Sequence, residues 1–276
     1  MYPVITEAII RDRLLAFSIS LFLTSPFISQ QSSAQSSAAA PQPSTLLQQS
    51  LAALVGNTTL SDITLTGTAR RIAGSDDESG TFTTKAISGD AGRIDLSLPS
   101  GQRTEILNST TTPPTGYWSG PDGVSHPIAY HNLLIESAWF CPAFGIAQRL
   151  STTGYATTYV GLETRNGQAV QHVSVSQSSN LPTIPGVPSV QRLSQLDFYL
   201  DSTTQLPLVI TFAAHPDNDA LIDIPVEIRY SDYRAVGGLQ MPYHIQKYVS
   251  NNLALDFQVQ SVVLNSGVNA SVFSAL

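Results

Sequence analysis

Alternation of apolar and polar residues dominates the C-terminal third of the chain. In the stretch 226–264, apolar side chains recur at every second position in three successive runs, with polar side chains between them. A period of two is typical of an antiparallel strand with one buried and one solvated face. Gly237-Gly238 and Asn251-Asn252 separate the runs, and these residue types favour the positive φ angles of hairpin turns. The pattern predicts a sheet whose apolar face covers either helices or a hydrophobic ligand.

Strands are also predicted upstream of this stretch. Asn166-Gly167 lies between two apolar runs and is a strong hairpin signal. A cluster of turn residues over Gly74–Gly80 separates two of the earlier strands. The strand patterns outside the C-terminal third cover 63–70, 82–84, 93–98, 104–108, 155–162 and 169–175.

Two segments have the pattern of helices. Leucines spaced at i, i+4 and i+7 predict a helix over 45–55, with Ser44 as its N-terminal cap. Residues 126–150 lose the alternation and predict a helical insert that carries Trp139-Phe140, with a second short helix from Pro142. A sheet that is apolar on one face needs a second layer, and we expect these helices to supply it.

Two motifs resemble a known family. The segment YSDYRAVGGLQMP runs from Tyr230 to Pro242, and DFYLDSTTQLPLVI runs from Asp197 to Ile210. Both resemble the LolA/LppX-like superfamily of periplasmic lipoprotein carriers and lipid-binding proteins. The specific part of the resemblance covers 155–275, and only the element order matches before it. The resemblance implies an α+β fold that is mostly β, in which a curved antiparallel half-barrel wraps a few helices.

The N-terminus has the pattern of an export signal. Arg11 and Arg13 precede a short apolar run, and Ser32-Ser33-Ala34 fits a small-residue cleavage site. We expect a signal peptide over 1–34, a disordered linker over 35–44 and one domain over 45–276. The protein is then periplasmic or secreted. The alternative is that the apolar run remains as an N-terminal membrane anchor.

Composition narrows the classes of partner. The formal net charge is −7 and only 12% of residues are charged, so a nucleic-acid partner is not expected. Cys141 is the single cysteine, which rules out an intramolecular disulfide, and we expect it to be a small buried hydrophobe. It lies far from the signal region, so it does not supply a lipid attachment site there.

No catalytic signature is found. The chain has no G-x-S-x-G, H-E-x-x-H, P-loop or G-x-G-x-x-G motif, so we predict neither an enzyme nor a cofactor. Asp217, Asp219 and Asp223 lack the spacing of a calcium loop and predict an acidic hairpin tip instead. A secreted hydrolase, with Asp197 and Asp201 as a carboxylate pair, remains the weaker alternative. The five histidines are scattered and predict no metal site; they are His126, His131, His172, His215 and His244.

The apolar face of the predicted sheet supplies the candidate binding site. In the superfamily that the chain resembles, sheet and helices enclose a cavity for acyl chains. The resemblance therefore implies an exported carrier for a lipid, an acylated protein or another hydrophobic ligand. The alternative is an envelope protein-interaction or sensory module whose core is filled. The predicted cavity-lining residues are Trp139, Phe140, Phe144, Phe212, Ile228, Tyr230, Tyr243, Ile245 and Phe257.

The resemblance also implies a functional arginine near the lid of the cavity. Arg70, Arg71 and Arg93 lie in the corresponding half of the chain. No motif matches any one of them to that role, so the sequence leaves the choice open.

Overall fold

A computed structural model describes residues 40–88, 91–135, 137–179 and 186–274. These residues lie within one compact unit, Ala40–Leu276. The predicted signal peptide and the first five residues of the predicted linker, 35–39, lie outside the described residues. Pro43 and Ser44, at the end of that predicted linker, belong to the first helix.

One antiparallel sheet of 13 strands organises the described chain. It consists of two meanders, β1–β6 and β7–β13, in which each strand pairs with the next along the chain. The pairing of β1 with β13 joins the two meanders, so the spatial order runs from β6 to β1 and then from β13 to β7. The strands are β1 Asp62–Ala73, β2 Asp76–Ile87, β3 Ala91–Leu98, β4 Gly101–Asn108, β5 Thr115–Ser119, β6 Ser125–Pro127, β7 Tyr155–Arg165, β8 Gln168–Gln177, β9 Leu196–Asp201, β10 Pro207–Ala214, β11 Ile224–Val236, β12 Leu239–Val249 and β13 Asn252–Leu264.

Few helices accompany this sheet. The α-helices are α1 Pro43–Val55, α2 Pro142–Ser151 and the single turn α3 Val190–Leu193, and 3₁₀ turns occur at Tyr130–Leu133 and Ala270–Phe273. Helices α1 and α2 contact each other, and α1 also contacts β12. The predicted fold class, a mostly β half-barrel over a few helices, is confirmed.

The helical predictions need two corrections. Helix α1 begins at Pro43 with Gln42 as its N-cap, and Ser44 lies inside the first turn and does not cap it. Proline at the first helical position has a fixed φ that suits the helix, which moves the start two residues upstream. Trp139 and Phe140 lie in a turn before α2 and are not helical, because the next residues, Cys141-Pro142, start a new helix there.

One predicted turn is also shorter than expected. Only Gly74 and Ser75 form the turn between the first two strands, and Asp76–Gly80 extends β2. The polar residues of this extension continue the ladder with β1 up to the pair Ala73 and Asp76. A two-residue hairpin turn satisfies more backbone hydrogen bonds than the long loop that the residue types suggested.

The two prolines of the resembling motifs occupy different strand positions. Pro207 is the first residue of β10, as expected for a residue without an amide hydrogen. Pro242 lies inside β12 and not at its start. It is tolerated because β13 pairs with β12 only from His244 onward, and because Asp232, at φ 54°, interrupts the ladder with β11 beside it.

The main core lies between the inner face of the sheet and helices α1 and α2. It includes leucines of α1, the turn 138–141 and inward side chains of both meanders. Cys141 is fully buried in it, as predicted. The largest buried side chains, among them Phe140, Phe198 and Phe257, fill its centre.

Candidate functional site

Trp139 lies where the segment 137–140 crosses the inner face of the sheet. The hydroxyl of Tyr230 donates a hydrogen bond of 2.5 Å to the backbone carbonyl of Trp139. The indole ring stacks on Phe257, with ring centroids 5.8 Å apart. Lys247 Nζ lies 5.2 Å from the indole centroid, within cation–π range. The side chain is therefore held by the sheet on more than one side.

Two cavities adjoin Trp139. The first has a volume of about 360 Å³, and its apolar wall includes Leu96, Leu255 and Trp118 as well as Trp139. The second has a volume of about 270 Å³ and is lined mainly by apolar residues. Four residues line both cavities, which are Glu105, Trp139, Lys247 and Val249. The cavities therefore share a wall, and Trp139 is part of it.

Comparison with known structures identifies the architecture. A LolA superfamily protein from Nitrosomonas europaea matches with a TM-score of 0.54 at 10% identity, over 85% of this chain and 98% of that one. A Vibrio parahaemolyticus domain assigned to outer membrane lipoprotein sorting matches with a TM-score of 0.53 at 11% identity, over 83% and 95%.

The fold is LolA-like. A DUF1329 family protein from Desulfovibrio piger also matches, with a TM-score of 0.54 at 9% identity, over 84% of this chain and 95% of that one. No protein-family model and no curated protein matches the sequence. The resemblance predicted from the two sequence motifs is confirmed at the level of the fold.

The LolA-like fold brings the predicted site residues together. Most of them, however, lie in the packed core and do not line the cavities. Eight of the nine are buried in the main core cluster, and Tyr243 is partly buried against it. Among the described residues that line the two cavities, only Trp139 and Phe212 belong to the predicted set. The other seven fill the space beside the cavities, and a role for them in ligand binding stays a prediction.

Sequence reasoning missed the charged side chains of the first cavity, which are Arg71, Arg103, Glu105 and Lys247. The alternation on β1 could have indicated that Arg71 faces inward. Arg71 lies an even number of residues after the inward Ile63, Leu65 and Ala69. Arg103 and Glu105 lie opposite the inward Leu96 and Ile94 in the ladder with β3. Their inward direction depends on this register, which no local pattern specifies.

The structure distinguishes the three arginines among which the sequence could not choose an arginine near the lid. Arg70 lies on the outer face of the sheet and binds Asp77. Arg93 also lies outside, where it binds Asp95 and donates to the carbonyl of Val272. Arg71 alone among the three lines the first cavity.

A polar cleft of about 440 Å³ contains Asp197, which sequence reasoning considered as a hydrolase carboxylate. Asp197 accepts a hydrogen bond from His172 at 3.0 Å, and Glu163 contacts the other ring nitrogen at 2.6 Å. Asp201 instead accepts from the backbone amides of Thr203 and Thr204 and stabilises their turn. The two carboxylates have separate structural partners and do not converge on a common substrate position.

The acidic hairpin tip predicted before Val226 connects β10 and β11. Asp223 in this connection forms an ion pair with Arg192 at 2.7 Å, and Asp219 accepts from the amide of Leu221. Within the described ranges, no group of three or more His, Cys, Asp or Glu side chains has the geometry of a metal site. No helix in the described part of the chain has the length and apolar character needed to span a bilayer.

Proposed function

We propose that this LolA-like protein is an exported, non-enzymatic carrier that binds a lipid, an acylated protein or another hydrophobic ligand in the two cavities beside Trp139. The observation that carries the proposal is the position of these cavities. They lie between the inner face of the sheet and the segment that precedes α2. Support also comes from the fold, because one similar structure belongs to a domain assigned to lipoprotein sorting.

The size and lining of the cavities suit part of a hydrophobic ligand. Ligand sites typically have volumes of about 300–1,000 Å³ and are mostly apolar, and the two volumes here are about 360 and 270 Å³. Each methylene that enters contributes about 0.8 kcal/mol. Trp139 and Phe212 are the proposed contact residues from the predicted set, and the packed core beside them limits how deep a ligand enters.

Ligand extraction and a filling variant test this proposal together. The purified protein is extracted with organic solvent for mass spectrometry, and the stripped protein is titrated with a fluorescent fatty-acid probe. Val249 lines both cavities, so Val249→Phe fills space in each and is expected to weaken probe binding at least tenfold. Val263→Phe makes the same change at a half-exposed outer position and should bind the probe as the wild type does.

Folding of both variants is first checked by circular dichroism. Equal probe binding by folded Val249→Phe and Val263→Phe would remove the proposed site. A wild-type protein that carries no extractable lipid and binds no probe would contradict the carrier itself.

The second candidate function is an envelope protein-interaction module. The filled core around seven of the nine predicted residues favours it, as does the exposed edge of the sheet. β7 is an edge strand, and its Val160 and Leu162 side chains are 52% and 62% exposed. An unpaired edge offers backbone groups to a partner strand. Absence of lipid and probe binding would favour this module over the carrier.

A further inference from the structure

Three cationic side chains line the first cavity. Arg71 comes from β1, Arg103 from β4 and Lys247 from β12, so both meanders of the sheet contribute. Glu105 is the single acidic side chain among the described residues that line this cavity. Three positive charges therefore face one negative charge beside a wall that is otherwise mostly apolar.

None of these three cations has a carboxylate partner among the described residues, whereas most other arginines of the described chain have one. No ion pair within 4.0 Å joins Arg71, Arg103 or Lys247 to any described residue. Glu78 lies opposite Arg71 in the β1–β2 register, but it accepts from Ser100 Oγ at 2.8 Å instead. The ion pairs of other arginines are Arg70–Asp77, Arg93–Asp95, Arg165–Glu227, Arg192–Asp223, Arg229–Glu227 and Arg234–Asp232.

Hydrogen-bond donors beside the cavity are also left unused. Arg71 Nη1, Arg103 Nε and Trp139 Nε1 are buried and have no hydrogen-bond partner within the described ranges. Buried polar atoms are nearly always hydrogen-bonded, since an unpaired donor loses its contacts with water and gains nothing in return. Three residues that line one cavity therefore have donor capacity that no described residue uses, which favours a ligand that carries acceptors.

We infer that the ligand is an amphiphile with an anionic headgroup, a carboxylate or a phosphate, attached to an acyl chain. The headgroup binds in the first cavity between Arg71 and Arg103, whose planar guanidinium groups match such oxyanions. The chain passes Trp139 and enters the second cavity beside Phe212. This inference rests on the proposed carrier function and adds the charge class of its ligand.

The boundary between the headgroup and the acyl chain of the ligand lies beside Lys247 and Glu105. Both residues line both cavities, so they lie where the polar part of the ligand gives way to its apolar part. Lys247 adds attraction for the anion. Glu105 opposes a second negative charge there and favours a headgroup with a single anionic group.

Intrinsic fluorescence provides a direct assay. The chain contains two tryptophans, and both Trp118 and Trp139 line the first cavity. Delipidated protein is titrated at pH 8 with oleate and with monoolein, which has the same acyl chain and an uncharged head. Oleate is expected to bind at least tenfold more tightly, because hydrogen bonds to charged groups are among the strongest in proteins.

A double variant and a matched control locate the anion. Arg71→Gln combined with Arg103→Gln should reduce oleate affinity at least tenfold and leave monoolein affinity within about twofold. Arg70→Gln is the control. It removes the positive charge of the residue next to Arg71 in sequence, which lies on the outer face and is paired with Asp77. It should retain the oleate preference. Loss of that preference in Arg70→Gln as well would mean that net charge acts at long range, and would overturn the assigned site.

Other outcomes separate this inference from the carrier function. Equal binding of oleate and monoolein by the wild type would overturn the anionic headgroup and leave the carrier intact. Binding of neither would overturn the carrier. Lysophosphatidylcholine binding as tightly as oleate would show a zwitterionic head and contradict the inference. Acetate or inorganic phosphate that displaces oleate at micromolar concentration would identify a free anion as the ligand, and would contradict the amphiphile.

Discussion

The Tyr230 hydroxyl and the Trp139 carbonyl oxygen are 2.5 Å apart, in a hydrogen bond that ties the segment before α2 to β11. Tyr230 was expected to contact a ligand because it faces inward. The described contact of its hydroxyl is with the backbone of Trp139, so it positions a residue that lines both cavities. The inner face of the sheet therefore contributes to the candidate site in two ways: some of its side chains line the cavities, and Tyr230 positions Trp139.

Tyr230→Phe tests this anchoring role. The change leaves a buried carbonyl without its donor, so we expect the free energy of unfolding to fall by about 1–3 kcal/mol. Urea denaturation followed by far-UV circular dichroism measures the loss. Tyr243→Phe is the control, since the Tyr243 hydroxyl makes no hydrogen bond with a described residue. Equal stability of the two variants would argue against the anchor.

From its position in the structure, we expect Phe257 to stabilise the fold by packing in the core. It is fully buried and stacks on Phe82 with ring centroids 4.2 Å apart, as well as on Trp139. Phe257→Ala should lower the free energy of unfolding by about 3–5 kcal/mol, the range for large-to-small core changes. Val263→Ala, at a half-exposed position, should change it by less than about 0.5 kcal/mol. A loss below about 1 kcal/mol for Phe257→Ala in urea denaturation would contradict this packing.

Gly92 permits the close crossing of the segment that carries Trp139. A Cβ atom added at Gly92 would lie 2.0 Å from the carbonyl oxygen of Ser137, which forces the backbone apart. We expect Gly92→Ala to cost about 1–3 kcal/mol and to shift the tryptophan emission maximum, because Trp139 lies two residues after Ser137.

Gly120→Ala serves as the control for the Gly92 variant. Its added Cβ would meet no atom closer than 3.6 Å, so ordinary contact is retained. An unchanged emission spectrum and melting temperature in Gly92→Ala would show that the segment does not cross the sheet at this point.

Asp62 gives the fold a specific dependence on pH. Desolvation is the largest single influence on this carboxylate and would raise its pKa, but hydrogen bonds from Gly267, Ser266 and Ser61 together hold the pKa below its ordinary value. The unfolded chain, with a pKa of about 3.9, therefore takes up the proton first as pH falls. The resulting stabilisation is complete above about pH 4 and is lost as pH falls through the folded-state pKa.

Asp62→Asn removes this charge with little change of shape. We expect the variant to be less stable than the wild type by about 1–2 kcal/mol at pH 7, because one accepting oxygen becomes an NH2 group that cannot accept and the other loses its charge. The difference should shrink as the pH is lowered below about 4. Thermal denaturation at a series of pH values measures it, and a difference that stays constant down to pH 2.5 would contradict the role of the charge.

Local pattern was enough to predict much of this fold. Period-two alternation placed Val226, Ile228 and Tyr230 on the inner face, and all three are buried. Asn166-Gly167 forms the predicted turn, with φ angles of 50° and 79°. These features were predictable because side-chain direction and turn conformation depend on residues close together in sequence.

The sequence by itself determined a mostly β protein with one apolar and one polar sheet face, and its motifs pointed to the LolA-like architecture. Only the tertiary structure decided which inward residues fill the core and which line a cavity. Ile228 and Phe212 have similar patterns along their strands, yet Phe212 lines a cavity and Ile228 does not. Arg71 and Arg103 likewise approach one cavity from β1 and β4. The reason is that free volume and unpaired charge depend on where distant segments cross, and no local periodicity encodes that crossing.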